Sequence, residues 1–381
     1  MEHISLRKFV APEIVFGVGA RKLAGRYAKH LAATNVLLVT DPGVINAGWT
    51  EDIKAALDAE RIKYRIFSDV SPNPRSEEVM RGAEVYNAEK CDAIISVGGG
   101  SPMDCAKGIG IVATNKLHVL QFEGVDKIRI PGPPFIFIPT TAGTSADVSQ
   151  FSIILNEKEL VKIAIISKSI VPDISLIDPE TTITMDHYLT ACTGMDALTH
   201  AVEAFVSKAS SPLTDVHAVE AIKILSENLE TAVKNPNDIT LREKIMFASM
   251  EAGLAFSNAI LGAVHSMAHS LGGFLDLPHG ECNAILLSHV INFNYTAASD
   301  RYNKIGELLG IKSKKITQKD IVNKILEMKT NVGILKSLSK CGVKESDLPT
   351  LAAKAHNDPC LLTNPRQASK KDLEVIYEEA F

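Results

Sequence analysis

Short runs of β-branched and other apolar residues alternate with amphipathic stretches through the first half of the chain. The apolar runs are Glu13–Phe16, Val36–Thr40, Tyr64–Phe67, Ala93–Val97, Phe135–Ile138 and Leu176–Ile177, and the amphipathic stretches include Trp49–Glu60 and Ser76–Lys90. Strands that are apolar on both faces indicate a sheet covered by helices on both sides, and the strand–helix alternation predicts parallel strands. The first half is therefore predicted to be an α/β domain built on a parallel sheet.

The pattern changes after Asp178-Pro179, and from Tyr188 to the C-terminus no run has the character of a strand. Apolar residues recur there with the period of an α-helix. The clearest segments are Ala218–Thr231, Leu241–Phe256, Asp320–Ser337 and Lys371–Ala380. We expect a second, all-helical domain, with the boundary near residues 178–187.

The composition excludes a disordered chain, since 46% of the 381 residues are hydrophobic, 22% are charged and the formal net charge is -5. This charge gives no reason to expect nucleic acid or a membrane surface as a partner. The apolar runs are far shorter than the roughly 20 residues of a membrane span, and no signal peptide is apparent. The six cysteines have no paired spacing, as is typical of reduced thiols. We expect a cytoplasmic protein without disulfides.

A glycine-rich segment, Gly98-Gly-Gly-Ser-Pro-Met-Asp104, directly follows a predicted strand. Its glycines let the backbone approach a ligand closely, and the following helix offers free N–H groups to a pyrophosphate. Ser101 is predicted to cap a helix over Pro102–Val112. A dinucleotide-binding loop is therefore predicted, with a plain strand-to-helix turn as the alternative. Gly17-Val-Gly19 starts a similar pattern, but Lys22 occupies the third glycine position, so we interpret it as a hairpin or strand-edge turn.

Two further segments follow strand ends and carry groups suited to a nucleotide. Thr140-Thr-Ala-Gly-Thr144 presents three hydroxyls that can hydrogen-bond phosphate or ribose. Asp41 can accept both hydroxyls of an adenosine ribose and would repel a 2′-phosphate, which favours NAD over NADP. The alternative for Asp41 is a turn residue before Pro42. In the usual dinucleotide fingerprint the acidic residue follows the glycine loop, whereas Asp41 precedes it.

The second half concentrates histidines in two segments. Asp196 and His200 are four residues apart, so on a helix they share a face and can chelate one ion. His265 and His269 repeat this spacing, and His279 follows in a Pro-His-Gly turn. A lone histidine is more often a core residue, but several of them with a carboxylate in apolar helices indicate a metal site. Mixed histidine and aspartate ligands suit Fe²⁺, Zn²⁺ or Mn²⁺.

With these motifs in this order, the chain resembles the iron-containing (group III) alcohol dehydrogenases, relatives of lactaldehyde reductase and 1,3-propanediol dehydrogenase. The motifs that carry the resemblance are Pro72-Asn-Pro74, Gly98–Asp104, Pro139–Thr144, Gly194–His200 and Gly262–Gly280. The resemblance implies a Rossmann-like, dinucleotide-binding α/β domain over residues 1–183. It implies an all-α, metal-binding catalytic domain over residues 184–381, in a dehydroquinate synthase-like architecture with the active site in the cleft between the domains.

The resemblance also implies the site residues. The metal ligands would be Asp196, His200, His265 and His279, with iron as the expected ion. The NAD cleft would be lined by Asp41, Asn73, Gly99, Gly100, Ser101, Asp104, Thr140, Thr141, Thr144 and Lys162. His269 would lie near the metal and is the candidate proton carrier, the alternative being that it only orients His265. Phe151 departs from the pattern, since lactaldehyde reductase has a polar residue there. A homodimer or larger homo-oligomer is expected.

The predicted function is hydride transfer between a small primary alcohol or diol and NAD, with an aldehyde as the substrate in reverse. A phosphosugar lyase of the dehydroquinate synthase type is one alternative, but its charged substrate needs basic residues, and none lies between His265 and His279. A metal-dependent hydrolase is another, with Glu203 or Glu281 as its general base. A noncatalytic nucleotide-binding protein with a structural metal is disfavoured because such zinc sites use cysteine, and only Cys282 is near the histidines.

Overall fold

The computed structural model describes residues 6–381, so the first five residues of the predicted domain 1–183 lie outside the described part of the chain. Two compact units are present. The first comprises residues 10–184, and the second comprises residues 185–381 together with residues 6–9. The assignment of a dinucleotide to one unit and a metal to the other stays a prediction.

The first unit is built on a six-stranded sheet whose strands all run parallel, in the order β1-β9-β6-β4-β2-β3. The strands of this sheet are β1 Glu13–Phe16, β2 Asn35–Val39, β3 Lys63–Phe67, β4 Ala93–Gly98, β6 Phe135–Pro139 and β9 Ile174–Ile177. A smaller sheet consists of β5 Gly124–Val125, β7 Phe151–Asn156 and β8 Val161–Ile166. The helices of this unit are α1 Ala24–His30, α2 Pro42–Asn46, α3 Trp49–Ala59, α4 Ser76–Ala88 and α5 Gly100–Asn115. The predicted parallel α/β fold is confirmed.

The central strands are buried on both faces, as their unbroken apolar runs predict. Leu37 and Ile94 belong to the core on one face of the sheet, whereas Val36 and Ile95 belong to the core on the other. Adjacent residues of a strand point to opposite faces, so each apolar run supplies two cores at once. Every residue of β4 is buried.

A smaller sheet of order β5-β8-β7 has no counterpart in the predicted elements. Its strands β7 and β8 are antiparallel and are joined by a turn over residues 157–160. That turn contains two glutamates, a lysine and a leucine, and so lacks the Asn-Gly or Asp-Gly pair by which a tight hairpin is recognised. The strand assignment therefore missed this hairpin, although the run at Ile163 was visibly apolar.

One local expectation of the first unit needs correction, and the structure decides between the two alternatives of another. Helix α5 begins at Gly100 with Gly99 as its N-cap, so Ser101 lies inside the first turn and does not cap it. Gly98, with φ at 156°, makes the turn from the strand into the helix, and the helix therefore starts earlier than the Ser-Pro pair predicts. Gly17 is a strand-edge turn and not a hairpin, because β1 pairs in parallel with β9.

Asp92 ties the starts of β2 and β4 together and gives a stability prediction. Its carboxylate accepts hydrogen bonds from the backbone N–H groups of Thr34 and Asn35 and from the Thr34 hydroxyl. Burial raises the pKa of Asp92, but these hydrogen bonds outweigh it and hold the pKa below its ordinary value. Because they favour the charged form, Asp92→Asn is expected to lower the free energy of unfolding by about 1 kcal/mol at pH 7.

The difference in the free energy of unfolding between wild type and Asp92→Asn is expected to become smaller at acidic pH. A depressed pKa in the folded state stabilises the protein above the unfolded pKa of about 3.9, and this is lost as the pH falls through the folded value. Trp49, the single tryptophan, lies in this unit, so its fluorescence during urea unfolding at pH 7 and at about pH 2.5, below the unfolded pKa, measures the effect. A difference that stays constant between the two pH values would contradict the prediction.

The second unit contains helices and no strand in the described residues 188–381, which confirms the all-helical prediction. The helices are α6 His187–Val206, α7 Pro212–Lys234, α8 Ile239–Ala259, α9 Ala263–Leu275, α10 His279–Asn294, α11 Ser299–Leu308, α12 Gln318–Asn331, α13 Leu348–His356 and α14 Lys370–Glu379. The predicted helix over Asp320–Ser337 is wrong beyond Asn331, because the chain turns at Gly333 with φ at 88°.

Helix α6 is the central helix of this unit and packs against α7, α8 and α10. Asp186 caps its N-terminus by accepting a hydrogen bond from the backbone N–H of Leu189. Every residue from 190 to 206 is buried. Polar groups in this range must therefore find partners inside the protein, because leaving them unpaired is costly.

Among the described residues no single helix is long and apolar enough to cross a membrane. The helices Ile239–Ala259 and Ala263–Leu275 have the length and apolar composition of a membrane span only when taken together, and they are bent by 100° at the break between them. All six cysteines are free thiols, as the sequence predicts, and five of them are buried.

Candidate active site

Four side chains that the sequence singled out as metal ligands meet inside the second unit. Asp196 and His200 lie on α6, His265 lies on α9, and His279 is the first residue of α10. The Oδ1 atom of Asp196 lies 3.8 Å from Nε2 of His200, 3.6 Å from Nε2 of His265 and 3.8 Å from Nε2 of His279. One carboxylate oxygen thus faces three imidazole nitrogens that come from three different helices.

These distances fit a single divalent ion. A tetrahedral ion with ligand bonds of about 2.0–2.2 Å has about 3.3–3.6 Å between neighbouring ligand atoms, close to the separations observed. Nitrogen and carboxylate donors without thiolate suit Fe²⁺, Zn²⁺ and Mn²⁺. The side chain of Asn283 adjoins the cluster, with its Nδ2 atom 2.6 Å from Oδ1 of Asp196. Ligand atoms of Asp196, His265 and His279 also lie within 4.8 Å of one another, so these three residues fit one ion, and His200 offers a nitrogen 3.8 Å from Asp196.

The electrostatics of the cluster also favour a cation. Burial raises the pKa of Asp196, but the nearby imidazoles outweigh it and hold the pKa far below its ordinary value. Burial lowers the pKa of His265, but hydrogen bonds to Asp196 and Glu203 outweigh it and raise the pKa to about 9. An ionised carboxylate beside a histidine that attracts a proton is an environment in which a metal ion can replace that proton.

Glu203 contacts both the ring of His265 and the start of α9. Its Oε2 atom lies 2.7 Å from Nδ1 of His265, and its Oε1 atom accepts the backbone N–H of Val264 at 2.7 Å. Glu281, the other base considered for a hydrolase, forms an ion pair with Lys336 at 3.0 Å. Both carboxylates are thus engaged in other interactions, which disfavours the hydrolase alternative.

His269 lies beside the cluster without sharing its carboxylate. Its Nδ1 atom lies 2.8 Å from Oδ2 of Asp358, and its ring stacks on His279 with 5.3 Å between the ring centroids. Glu203 holds the Nδ1 atom of His265 at 2.7 Å, and the His269 ring lies edge-on to the His265 ring with 6.1 Å between the ring centroids. The proton-carrying role of His269 and the alternative that it orients His265 both stay predictions.

In the first unit, the glycine loop and the threonine loop pack against each other at the ends of adjacent strands. Gly98 of β4 is paired with Pro139 of β6, and the N–H of Thr140 donates to the Gly98 carbonyl at 2.8 Å. A Cβ on Gly99 would lie 3.2 Å from Thr141, and one on Gly100 would lie 2.9 Å from Thr144. The carboxyl ends of parallel strands are where such folds bind nucleotides.

The remaining residues expected in the dinucleotide site lie on neighbouring segments of the same unit. Lys162 donates to Oδ1 of Asn73 at 2.7 Å, and the Asn73 N–H donates to the Ser101 hydroxyl at 3.3 Å. Burial raises the pKa of Asp104 to about 7, although the positive charges of Lys107 and Lys162 act in the opposite direction. These contacts link one end of α5 to the hairpin of the smaller sheet.

Asp41 is the turn residue before Pro42 that was the alternative to a ribose ligand. It caps α2 by accepting the N–H of Val44 at 2.9 Å. It also lies two residues after Val39, the last residue of β2, which is the strand next to β4. One Oδ atom serves the cap, so the capping role leaves the second oxygen as an acceptor for a ribose hydroxyl. The structure thus supports the turn role and is compatible with the ribose role.

The sequence pattern missed three residues of the second unit that contact the predicted ligands or His269, or predicted another role for them. Glu203 follows His200 by three positions on α6, so helical spacing could have placed it on the metal face. Asn283 follows His279 by four positions and could have been found in the same way. Asp358 lies 89 residues from His269, and no spacing rule connects residues so far apart.

Comparisons with known proteins agree with this geometry. The family model "Iron-containing alcohol dehydrogenase" matches residues 11–179, and the model "Fe-containing alcohol dehydrogenase family, C-terminal" matches residues 190–381. Alcohol dehydrogenase 4 of Schizosaccharomyces pombe is 42% identical over 368 residues, which cover 96% of this chain and 87% of that protein. The 1,3-propanediol dehydrogenase of Citrobacter freundii is 39% identical over 380 residues, 98% of each chain.

Solved structures show the same fold. A crystal structure of 1,3-propanediol oxidoreductase superimposes with a TM-score of 0.95 at 38% identity, covering 99% of this chain and 100% of that one. Sulfoacetaldehyde reductase from Bifidobacterium kashiwanohense, solved in complex with NAD+, has a TM-score of 0.88 at 28% identity and covers 99% of each chain. Sequence and structure comparisons therefore point in the same direction as the residues themselves.

Proposed function

The chain belongs to the iron-containing alcohol dehydrogenase family, and we propose that it transfers hydride between a small primary alcohol or diol and NAD, with the aldehyde as substrate in reverse. The observation that carries the proposal is the arrangement of three imidazole nitrogens around one buried carboxylate oxygen, 3.6 to 3.8 Å away. We assign the metal to Asp196, His200, His265 and His279. Iron is the expected ion, and zinc and manganese suit the same donors.

The proposed reaction separates a hydride from a proton. A divalent ion bound to these four residues would supply a Lewis acid for the substrate oxygen. The hydride leaves the carbinol carbon for the nicotinamide, and the proton leaves the hydroxyl. We assign that proton to Nε2 of His269, because Asp358 holds Nδ1 of the same ring at 2.8 Å.

We assign NAD to the first unit, over the domain predicted as residues 1–183. The pyrophosphate is proposed to bind at Gly99, Gly100 and Ser101, where α5 begins and its N–H groups are free of intrahelical partners. The other proposed contacts are Asp41, Asn73, Asp104, Thr140, Thr141, Thr144 and Lys162. Asp41 is proposed to select NAD, because its carboxylate would repel the 2′-phosphate of NADP.

A small neutral substrate is favoured over a charged one. The segment from His265 to His279 contains no lysine or arginine, whereas a phosphosugar needs basic residues to bind its phosphate. Relatives named for propanediol, methanol and lactaldehyde act on small uncharged molecules, whereas others are named for the charged molecules choline and sulfoacetaldehyde. The lyase alternative is therefore not favoured.

The test is NAD reduction by protein that has been stripped of metal and then given Fe²⁺, Zn²⁺ or Mn²⁺ separately. Short primary alcohols and diols are supplied in turn, NADH is followed by its absorbance, and NADP is assayed in parallel. We expect no activity without an ion, and recovery with at least one of the three. The absence of hydride transfer with every ion, alcohol and aldehyde would refute the dehydrogenase and return attention to the lyase and the hydrolase.

We also propose a cytoplasmic location and a homodimeric or larger assembly. The six free cysteines support the first proposal, because thiols persist in reducing compartments. Fractionation of the cells that make the protein tests the location. The resemblance to the family supports the second proposal, and sedimentation velocity of the metal-loaded protein tests it.

A further inference from the structure

The carboxylate of Glu203 joins the metal cluster to the start of a helix. It lies on α6, 4% exposed, and contacts the first residues of α9 and the N-cap before them. Its Oε2 atom is 2.7 Å from Nδ1 of His265 and accepts the Gly262 N–H at 3.1 Å, and its Oε1 atom accepts the Val264 N–H at 2.7 Å. We propose that Glu203 is a positioning residue that fixes the tautomer of His265 and thereby sets the affinity of the site for its ion. This inference rests on the metal assignment proposed above.

The direction of the hydrogen bond decides the tautomer. An ionised carboxylate can only accept, so Nδ1 of His265 carries the proton that points at Glu203. In the neutral ring the lone pair is then on Nε2, and that atom faces Oδ1 of Asp196 at 3.6 Å. A ring with the opposite tautomer would direct an N–H at the ion. Partners of this kind also make the bound imidazole a stronger donor.

The same carboxylate caps α9, which makes the ring position rigid. Gly262 is the N-cap and supplies no side-chain cap of its own. A Cβ at Gly262 would lie 2.9 Å from Oε1 of Glu203 and 2.8 Å from Oδ1 of Asn364, so the glycine makes room for these two acceptors. Because one carboxylate binds the helix start and the ring that projects from it, the backbone and side chain of His265 are held together.

Glutamine at position 203 has nearly the same shape but replaces one acceptor by a donor. With Oε1 still bound to the Val264 N–H, its amide N–H₂ would face Nδ1 of His265. The ring is then expected to accept at Nδ1 and carry its proton on Nε2, where the ion has to bind. The chain offers a matched control in Glu251, whose Oε2 atom is likewise 2.7 Å from Nδ1 of His217. His217 is not among the proposed ligands.

The experiment compares wild type, Glu203→Gln and Glu251→Gln, each stripped of metal, by titrating Zn²⁺ against a competing chelator. We expect Glu203→Gln to bind Zn²⁺ about 10- to 100-fold more weakly and Glu251→Gln to bind within about twofold of wild type. Wild-type affinity in a folded Glu203→Gln would overturn the inference. If wild type itself binds no ion, the metal assignment fails instead, so the two failures are distinguishable.

A second measurement, made on wild type, tests the inference even if Glu203→Gln does not fold. Nitrogen-15 spectra of histidine-labelled, Zn²⁺-loaded wild type report which ring nitrogen of His265 carries the proton. We expect the proton on Nδ1 and the ion on Nε2. A proton on Nε2 would overturn the inference without any variant. Circular dichroism of the metal-free proteins separates a loss of ion affinity from a loss of fold.

Discussion

Replacing Asp196 by alanine is expected to abolish stoichiometric metal binding and to lower kcat/KM by about 10³-fold or more. Asp196 is the only anion among the four proposed ligands, and its Oδ1 atom is within 3.8 Å of the three imidazole nitrogens. Without it the ion would lose the charge that offsets its own, in a site where Asp196 is only 2% exposed. Metal content by elemental analysis and steady-state NAD reduction measure the two effects.

The control for Asp196 is Asp300→Ala, which removes an exposed aspartate from the first turn of α11 in the same unit. We expect that variant to keep its ion and to keep its activity within about twofold, as surface substitutions have small effects. Circular dichroism establishes that Asp196→Ala is folded. Full metal content together with near wild-type activity in Asp196→Ala would refute the ligand assignment.

Replacing His269 by alanine is expected to lower kcat by about 10²- to 10⁴-fold, the usual contribution of general acid–base catalysis, while the metal content stays at the wild-type level. We expect kcat to fall without a loss of metal because Glu203, and not His269, holds Nδ1 of the proposed ligand His265 at 2.7 Å. Loss of His269 also leaves Asp358 without its imidazole partner, so the variant is expected to be somewhat less stable. Elemental analysis and steady-state kinetics with saturating alcohol measure the effect.

The matched control for His269 is His217→Ala, which removes another histidine that is paired with a carboxylate, Glu251, in the same unit. Its kcat is expected to stay within about twofold of wild type. If His269→Ala loses its ion, His269 supports the metal site instead of carrying the proton. If it keeps both ion and kcat, the proton leaves by another route.

The hydrophobic pattern predicted most of the fold because burial on both faces of a strand needs an unbroken apolar run. The apolar residues of β2, β4 and β6 alternate between two cores, and their pattern is readable without knowing which helix covers which face. The hairpin of β7 and β8 was missed because its turn lacks a glycine signal. The end of α12 was misplaced because the apolar period continues past the residue at which Gly333 turns the chain.

The Asp196–His200 pair on α6 and the His265–His269 pair on α9 could be singled out from the sequence because a helix places residues four apart on one face. Local spacing likewise identified the glycine loop, whose chemistry depends on consecutive backbone groups. Such features involve residues that are close in the chain, and short-range geometry is the same in every helix. The ligand candidates and the class of cofactor could therefore be predicted from the order of residues alone.

The sequence by itself determined that this protein has an α/β part and a helical part, and that aspartate and histidines suited to a divalent ion lie in the second. Only the tertiary structure decided which partners complete the site. Glu203 reaches His265 across 62 residues, and Asp358 reaches His269 across 89. Helix packing brings such pairs together, and packing depends on the fit of whole surfaces. No period along the chain records that fit, so the contacts of these two carboxylates with His265 and His269 emerged only from the fold.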